Sequence, residues 1–316
     1  MILTETKKLS RDEWLRYRKT GIGGSDAAAV CGLDPYRSAI DVWSEKTDHF
    51  KKEDRDNESL RVGRDLEDYV AQRFAEATGK KVRRRNAIFQ NDEYPFMIAN
   101  VDRMVVGENA LLECKTANAY ARDKWADGKI PESYEIQCHH YMAVTGTEKV
   151  YLACLIMGID FVVREIERDE EVIKALRNIE ENFWHTFVET GEMPPPDGSK
   201  SAGDVIKNLY PESDDGMEVD LSEFGDVLNR YDEISALIDD LSREKDEIIQ
   251  SIQNTMKSAE IGYIGARKVS WKSAKPRQTI DSKKMKAEKP DVYQAYLKTG
   301  APTRRFTIAK KKEDEE

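Results

Sequence analysis

Cysteine is scarce in this chain. Four occur in 316 residues, at positions 31, 114, 138 and 154, with no CxxC spacing. That pattern excludes a disulfide framework and a cysteine-held iron–sulfur cluster. Cys138, His139 and His140 are adjacent, and neighbours on a helix diverge by about 100°, so they do not read as a zinc site either. There is no apolar N-terminal segment and no apolar run near the roughly 18 residues of a membrane span, so neither an export signal nor a transmembrane helix is expected. The expectation is a cytosolic protein. GxGxxG, a Walker loop and internal repeats are also missing, which removes the support for dinucleotide binding, P-loop chemistry and a solenoid.

A basic excess is missing as well: the formal net charge is -10. The distribution matters more than the sum. Lys80-Lys-Val-Arg-Arg-Arg85 is a dense basic cluster, and Lys268, Lys272, Lys275, Arg277, Lys283, Lys284 and Lys286 make a second basic region. Acid concentrates between Glu212 and Asp220, between Asp232 and Glu247, and in the last four residues. A positive channel under a negative exterior suits a protein that encloses DNA while limiting non-specific contact. The first cluster also reads as a solvated turn between helix and strand. Both readings stand at this level.

Chemistry concentrates in two short stretches, Asn100-Val-Asp-Arg103 and Leu111-Leu-Glu-Cys-Lys-Thr116. Gly107, Glu108 and Asn109 between them read as a turn, so the stretches form a hairpin with Asp102 on one apolar run and Glu113 and Lys115 on the next. Side chains two apart on a strand share a face, which aims Glu113 and Lys115 the same way. Two carboxylates beside an ammonium are costly unless a cation sits among them. Oxygen ligands of this kind suit Mg²⁺ or Mn²⁺. Together they read as a metal-dependent phosphodiesterase site; singly, Asp102 reads as a strand-end or turn residue and Glu113-x-Lys115 as a solvated strand face.

Two helices flank this hairpin. Leu66, Val70 and Phe74 recur at helical spacing from Gly63 to Thr78, with Gly79 as the C-cap. Glu67 lies at the edge of that apolar stripe, either reaching the metal site or standing as an exposed first-turn acid. Downstream, Gln137 and Tyr141 lie four residues apart on one helical face ahead of the apolar strand Val150-Tyr-Leu-Ala-Cys-Leu-Ile156. That pair would hold a phosphate or an attacking water, or pack helix on sheet.

The ordered set of Glu67, Asp102, Glu113-x-Lys115 and Gln137-x-x-x-Tyr141 resembles the PD-(D/E)xK nucleases. Within them it resembles the YqaJ-like viral recombinases and the lambda-type alkaline exonucleases. Glu13-Trp14-Leu-Arg-Tyr-Arg18 and Gly21-Ile-Gly-Gly-Ser25, continued by Gly32-x-x-x-Tyr36, are similar to the family's N-terminal elements. The similarity covers roughly residues 10 to 190, the size of one domain. Val101 stands where the superfamily name has Pro.

The resemblance implies an α/β fold: a restriction-endonuclease-like core, with a central mixed sheet flanked by helices. It implies Asp102 and Glu113 as metal ligands, joined by the Cys114 backbone carbonyl, and Glu67 holding a second metal directly or through water. Lys115 would orient or deprotonate the water and steady charge on the phosphate. Gln137 would contact the nucleophile or scissile phosphate, supported by Tyr141. Arg18 and Ser25 match positions that hold a 5′-terminal phosphate. Chemically, Arg offers a bidentate fork for phosphate, and a Gly-rich turn opening a helix attracts anions. On the residues alone, Ser25 reads first as an N-cap of the helix that follows.

Beyond residue 190 the character changes. Met193-Pro-Pro-Pro-Asp-Gly-Ser199 reads as a stiff linker. The expected division is a nuclease core over 1–192, a linker over 193–200, a C-terminal α+β extension over 201–310 and a disordered acidic tail over 311–316. Near-heptad spacing of Phe224, Leu228, Tyr231, Ile238, Leu241, Ile248, Ile252 and Met256 predicts a long amphipathic helix from about Ser222 to Ala259. A short hairpin, two short helices and a strand over 304–308 are expected after it. The extension reads as a module that binds DNA or a partner or sets the assembly, or as a helix folded back on the core.

Three functions compete. The resemblance implies a Mg²⁺-dependent 5′→3′ double-strand DNA exonuclease of phage-type recombination, with Mn²⁺ substituting. Its substrates would be double-stranded DNA ends and its partner a single-strand annealing protein that takes the 3′ overhangs. A homo-oligomer, a trimeric ring by the same resemblance, would work in the cytoplasm of a bacterial host, encoded by phage or prophage. The second function is a structure- or site-specific endonuclease of the same superfamily, which has no need of a 5′-phosphate site at Arg18 and Ser25. The third is a non-enzymatic DNA-binding or assembly protein with a vestigial core. The joint presence of Glu67, Asp102, Glu113, Lys115 and Gln137 argues against that one.

Overall fold

The computed structural model describes residues 1–49, 58–298, 300 and 303–309. The chain divides into two compact units, Met1–Pro211 and Glu212–Glu316.

The first unit is built on a mixed five-stranded sheet in the order β2-β5-β6-β7-β8. Its strands are β2 (Val82–Arg84), β5 (Arg103–Val105), β6 (Ala110–Ala117), β7 (Lys149–Ile156) and β8 (Asp160–Glu167). β5 and β6 form the expected hairpin, with Gly107 supplying a left-handed residue (φ 84°) in the turn. β6 and β7 run parallel through all eight residues of each strand. A parallel pair needs a crossover, and the helix α5 (Glu132–Thr145) provides it. A three-stranded antiparallel sheet of β1 (Ile2–Glu5), β3 (Ala87–Gln90) and β4 (Ile98–Asn100) sits beside this core.

Alternation along β6 and β7 feeds two apolar layers, one on each face of the sheet. Leu111, Val150, Leu152 and Cys154 pack with Cys138 and Met142 of α5. Leu112, Tyr151 and Ala153 pack with Val70, Ala71 and Phe74 of α4 (Glu58–Thr78). Helices on both faces explain why β7 is apolar almost without interruption. α1 (Arg11–Lys19), α2 (Gly24–Val30) and α3 (Ala39–Lys46) precede the core, and α6 (Glu170–Phe183) follows it. The mixed sheet flanked by helices is the α/β architecture expected from the sequence.

α7 (Lys200–Leu209) corrects the expected boundary. Ala202 and Val205 are buried in the apolar core of the first unit. The division therefore falls after Pro211, not at the 193–200 stretch, because α7 has an apolar face to bury.

The second unit contains the long helix α8 (Gly225–Met256), the hairpin β9 (Ile261–Ile264) and β10 (Arg267–Ser270), and the short helices α9 (Ser282–Glu288) and α10 (Pro290–Ala295). Residues 304–308, expected as a strand, carry no regular structure. The 311–316 tail lies outside the described residues.

Candidate active site

Asp102 departs from the expected strand position. It lies in the two-residue break between β4 and β5, where the chain leaves the small sheet for the large one. Asp102 Oδ2 accepts a hydrogen bond from the Cys114 backbone N–H at 2.8 Å. N–H and C=O of one strand residue point toward the same neighbouring strand. The Cys114 carbonyl therefore faces the edge that Asp102 occupies.

Glu113 is 4% exposed, and its Oε1 accepts from Lys115 Nζ and from Gln137 Nε2, both at 2.7 Å. Lys115 Nζ also donates to Gln137 Oε1 at 2.9 Å, and Gln137 Nε2 donates to the Tyr141 hydroxyl at 2.8 Å. The α5 crossover thus delivers Gln137 and Tyr141 onto the face that carries Glu113 and Lys115. Burial alone would lower the Lys115 ammonium, but the Glu113 carboxylate outweighs it and raises it. Lys115 is therefore a charged donor. Burial, then Glu113, pushes the Tyr141 phenol well above its ordinary range, so it stays protonated. Burial, then the Glu113 and Glu67 charges, pushes Asp102 well above the usual carboxylate range.

One atom of this network is left without a partner. Glu113 Oε2 is buried and makes no hydrogen bond. An orphaned carboxylate oxygen beside a second carboxylate and a backbone carbonyl is an oxygen-only donor set that fits Mg²⁺ or Mn²⁺. Among the described residues no three His, Cys, Asp or Glu side chains gather into a protein-only metal cage. Mg²⁺ does not need one, because it keeps several waters and is held by one or two carboxylates.

Glu67 approaches from α4, on the other face of the sheet. It is paired with Arg103, whose Nη1 donates to Glu67 Oε1 at 2.5 Å. Arg103 was not singled out in the sequence, because Asp-Arg after an apolar run reads as a solvated strand end.

The N-terminal residues reach the same place. Arg18 Nη2 donates to Ser25 Oγ and to both Asp26 oxygens, each at 3.2 Å, and its guanidinium lies over the Trp14 ring at 5.3 Å. Ser25 is not an N-cap: that position is Gly23, whose N–H donates to Asp26 Oδ2 at 3.1 Å. α2 has only seven residues, so the anion-attracting helix start expected there is replaced by side chains. Asp26 is fully buried and also holds Arg37 at 2.9 Å and Lys46 at 2.7 Å. Burial alone would raise its carboxyl. The Lys46, Arg18 and Arg37 charges outweigh that and hold it well below the usual range. This cluster draws on residues up to 28 positions apart from α1, α2, α3 and a loop, and no local spacing in the sequence signals it.

Arg18 and Ser25 share the wall of one cavity of about 180 Å³ with Asp102, Gln137 and Tyr141. Gly24 is what lets them meet, since a Cβ there would lie 2.4 Å from Tyr141 Cε1. A second cavity of similar volume opens on the other side of Asp102, lined by Arg84, Arg85, Arg103 and Glu67. Part of the basic cluster therefore borders the site. Behind the site, His140 of α5 bridges the Ile98 carbonyl at 2.9 Å and Glu180 at 2.8 Å, fixing α5 against β4 and α6. Tyr134, also unflagged in the sequence, places its ring 4.8 Å from Lys115 Nζ.

The YqaJ-like viral recombinase domain profile matches residues 13–148, the span that holds every one of these site residues. Over 310 residues the chain is 41% identical to the uncharacterized protein YqaJ of Bacillus subtilis, covering 97% of each. The chain belongs to the YqaJ-like viral recombinase family. A 41-residue stretch, 13% of this chain and 12% of the other, is 49% identical to protein D345L of African swine fever virus. Among solved structures, the alkaline exonuclease LHK-Exo of Laribacter hongkongensis superposes with a TM-score of 0.50 at 20% identity, over 57% of this chain and 94% of that one. That enzyme has also been solved in complex with dAMP. The likeness shows a shared fold over that part of this YqaJ-like protein.

Proposed function

We propose that this YqaJ-like protein is a Mg²⁺-dependent 5′→3′ double-strand DNA exonuclease of phage-type recombination. The observation that carries the reading is the shared cavity: the Arg18–Ser25 pair and the Asp102–Gln137–Tyr141 group line one space of about 180 Å³. A 5′-terminal phosphate held at Arg18 and Ser25 presents the next phosphodiester to Asp102 and Glu113. A nuclease that cuts internally has no use for the first half of that cavity. The dAMP complex of LHK-Exo, a nucleoside monophosphate on a related fold, supports the same substrate class.

Asp102, Glu113 and the Cys114 carbonyl would hold Mg²⁺ or Mn²⁺, which when bound supplies Lewis-acid polarisation of the phosphate and a more acidic water. Lys115, held charged by Glu113, donates hydrogen bonds and steadies negative charge that builds on the phosphoryl oxygens. A charged ammonium is a poor base, which assigns Lys115 the orienting role and not proton abstraction. Gln137, anchored to Glu113, Lys115 and Tyr141, fixes the position of the nucleophile or scissile phosphate. Arg18 grips the end phosphate with the Trp14 ring behind it.

The family resemblance supports three further features of the proposal. A single-strand annealing protein takes the 3′ overhangs, the chain assembles as a trimeric ring around DNA, and it acts in the cytoplasm of a bacterial host on behalf of a phage or prophage. Among the described residues no helix is long and apolar enough to cross a membrane.

Incubation with Mg²⁺ and three DNAs tests the reading. Rapid loss of a 5′-phosphorylated linear duplex, slower loss of its 5′-hydroxyl counterpart and an intact closed circle are expected. Nicking or cutting of the circle would transfer the protein to the structure- or site-specific endonucleases.

A further inference from the structure

The two faces of the central sheet divide the acids of the site. Leu111 and Glu113 face α5, while Leu112 and Cys114 face α4. Arg103 pairs across the hairpin with Leu112, and directly paired residues of an antiparallel ladder share a face. Arg103 is therefore on the α4 side, where Glu67 arrives. Three of its five N–H groups are engaged there. Nη1 donates to Glu67 Oε1 at 2.5 Å and to the Asp102 carbonyl at 2.7 Å, and Nη2 donates to Asp68 Oδ1 at 2.5 Å.

We propose that the Arg103 guanidinium takes the place of a second divalent ion, so that the chain binds one Mg²⁺ or Mn²⁺, between Asp102 and Glu113, and Glu67 is not a metal ligand. The inference rests on the nuclease reading above and changes the role that the resemblance gave to Glu67.

Burial is the first argument. The Arg103 side chain is 5% exposed, against 31% for Glu67. A cation that deep in the fold needs its anion, because removing one partner of a buried pair costs far more than losing a surface bridge. If Glu67 turned to a metal, Arg103 would keep only the Asp102 carbonyl and the carboxylate of Asp68, whose side chain is 71% exposed, and would lose its better-buried anion. The hydrogen bond to the Asp102 carbonyl ties the same guanidinium to the backbone of a metal ligand, so the ion pair also sets where that ligand sits.

Charge is the second. Arg103 already places a fixed positive charge against Glu67 and the backbone of Asp102. A second divalent ion at Glu67 would sit beside that guanidinium, a like-charge contact in a partly buried setting, where uncompensated charge is expensive. A fixed guanidinium also needs no recruitment at each turnover, as preorganised charge does not.

Equilibrium Mn²⁺ binding to the full-length chain, read from the loss of the free-ion electron paramagnetic resonance signal, tests this independently of activity. It is run on the protein alone and with a 5′-phosphorylated duplex whose terminal linkages are cleavage-resistant phosphorothioates. One ion per chain is expected in both. Asp102→Asn should remove it, and Glu67→Gln should keep it with a Kd within about threefold of wild type. Gln keeps an oxygen that accepts from Arg103 Nη1, and Asp68 remains as that guanidinium's anion, so the Gln variant retains the fold, which the circular-dichroism melt checks. Two ions per chain in either state, or an ion lost in Glu67→Gln, would overturn the role of Arg103 and leave the nuclease reading standing. Absence of any Mn²⁺ site sensitive to Asp102→Asn would overturn the metal reading and this inference with it.

Discussion

The Cys114 backbone N–H donates to Asp102 Oδ2 at 2.8 Å across the neck of the β5–β6 hairpin. This bond makes the carboxylate part of the sheet edge instead of a free loop acid, and it sets the distance between Asp102 and the Glu113 carboxylate one residue away. Glu113 Oε2 is left without a partner there, and the Asp102 carboxyl is elevated by burial first and by the Glu113 charge second. The geometry holds two acids together at a cost that a bound cation relieves.

Lys115→Ala should separate chemistry from binding. Its Nζ links Glu113 to Gln137, and removal takes away the one ammonium of the network. Loss of a transition-state charge donor costs about a hundredfold or more in rate. Single-turnover cleavage should fall by that much, while fluorescence-anisotropy titration shows DNA affinity within about threefold of wild type. Loss of binding in parallel would mean that the residue holds the fold and not the reaction.

Arg18→Ala should discriminate between DNA ends. Arg18 reaches both Ser25 and Asp26, so its removal empties the phosphate half of the cavity while Lys46 and Arg37 still hold Asp26. The kcat/KM on 5′-phosphorylated duplexes should drop by at least about tenfold, the worth of a lost charged hydrogen bond. The 5′-hydroxyl duplex should change little. Equal losses on both would remove Arg18 from end recognition.

Gly24→Ala tests the close approach of α2 to α5. The added Cβ would lie 2.4 Å from Tyr141 Cε1 and 3.0 Å from Gln137 Cγ. Overpacking of this kind costs about 1–3 kcal/mol, and here it also shifts the two α5 side chains of the site. A lowered melting temperature together with a lowered kcat is expected. An unchanged kcat would place Gln137 and Tyr141 outside the reacting geometry.

Asp26 carries a pH signature. Its carboxyl is depressed in the folded protein by Lys46, Arg18 and Arg37 acting against burial. A depressed carboxyl contributes stability that is fully present above the unfolded value of about 3.9 and is lost as pH falls through the lower folded value. Asp26→Asn takes the buried Lys46 ammonium's carboxylate away, while Arg37 keeps Glu45, and should cost about 3 kcal/mol at neutral pH. In urea titrations the deficit should hold down to about pH 4 and shrink below it. A deficit that stays constant to pH 2 would show that the carboxylate charge is not what holds the cluster.

Much of this was legible in the sequence, for identifiable reasons. Glu113-x-Lys115 shares a face by strand alternation, Gln137 and Tyr141 share one by helical spacing, and the turn at Gly107 sets the hairpin, all short-range rules. α8 was equally visible from its apolar period, and it spans Gly225–Met256. What stayed hidden depends on residues far apart in the chain. Arg103 meets Glu67 across 36 positions, and Asp26 draws its cations from three separate segments. The placement of α7 escaped because Met193-Pro-Pro-Pro reads as a boundary, whereas burial of Ala202 and Val205 is decided by the core they join. Asp102 reads as a strand residue from its apolar neighbours, but it occupies the step between two sheets.

The central claim is that one cavity grips a 5′ end and cleaves beside it. A time course on a long linear duplex in Mg²⁺, with a radiolabel on either the 5′ or the 3′ terminus of each strand, tests it most directly. The account predicts that the 5′ label becomes acid-soluble at once while the 3′ label remains on lengthening single-stranded tails, and that EDTA stops both. Release of the 3′ label first, or internal fragments that keep the 5′ label, would contradict it.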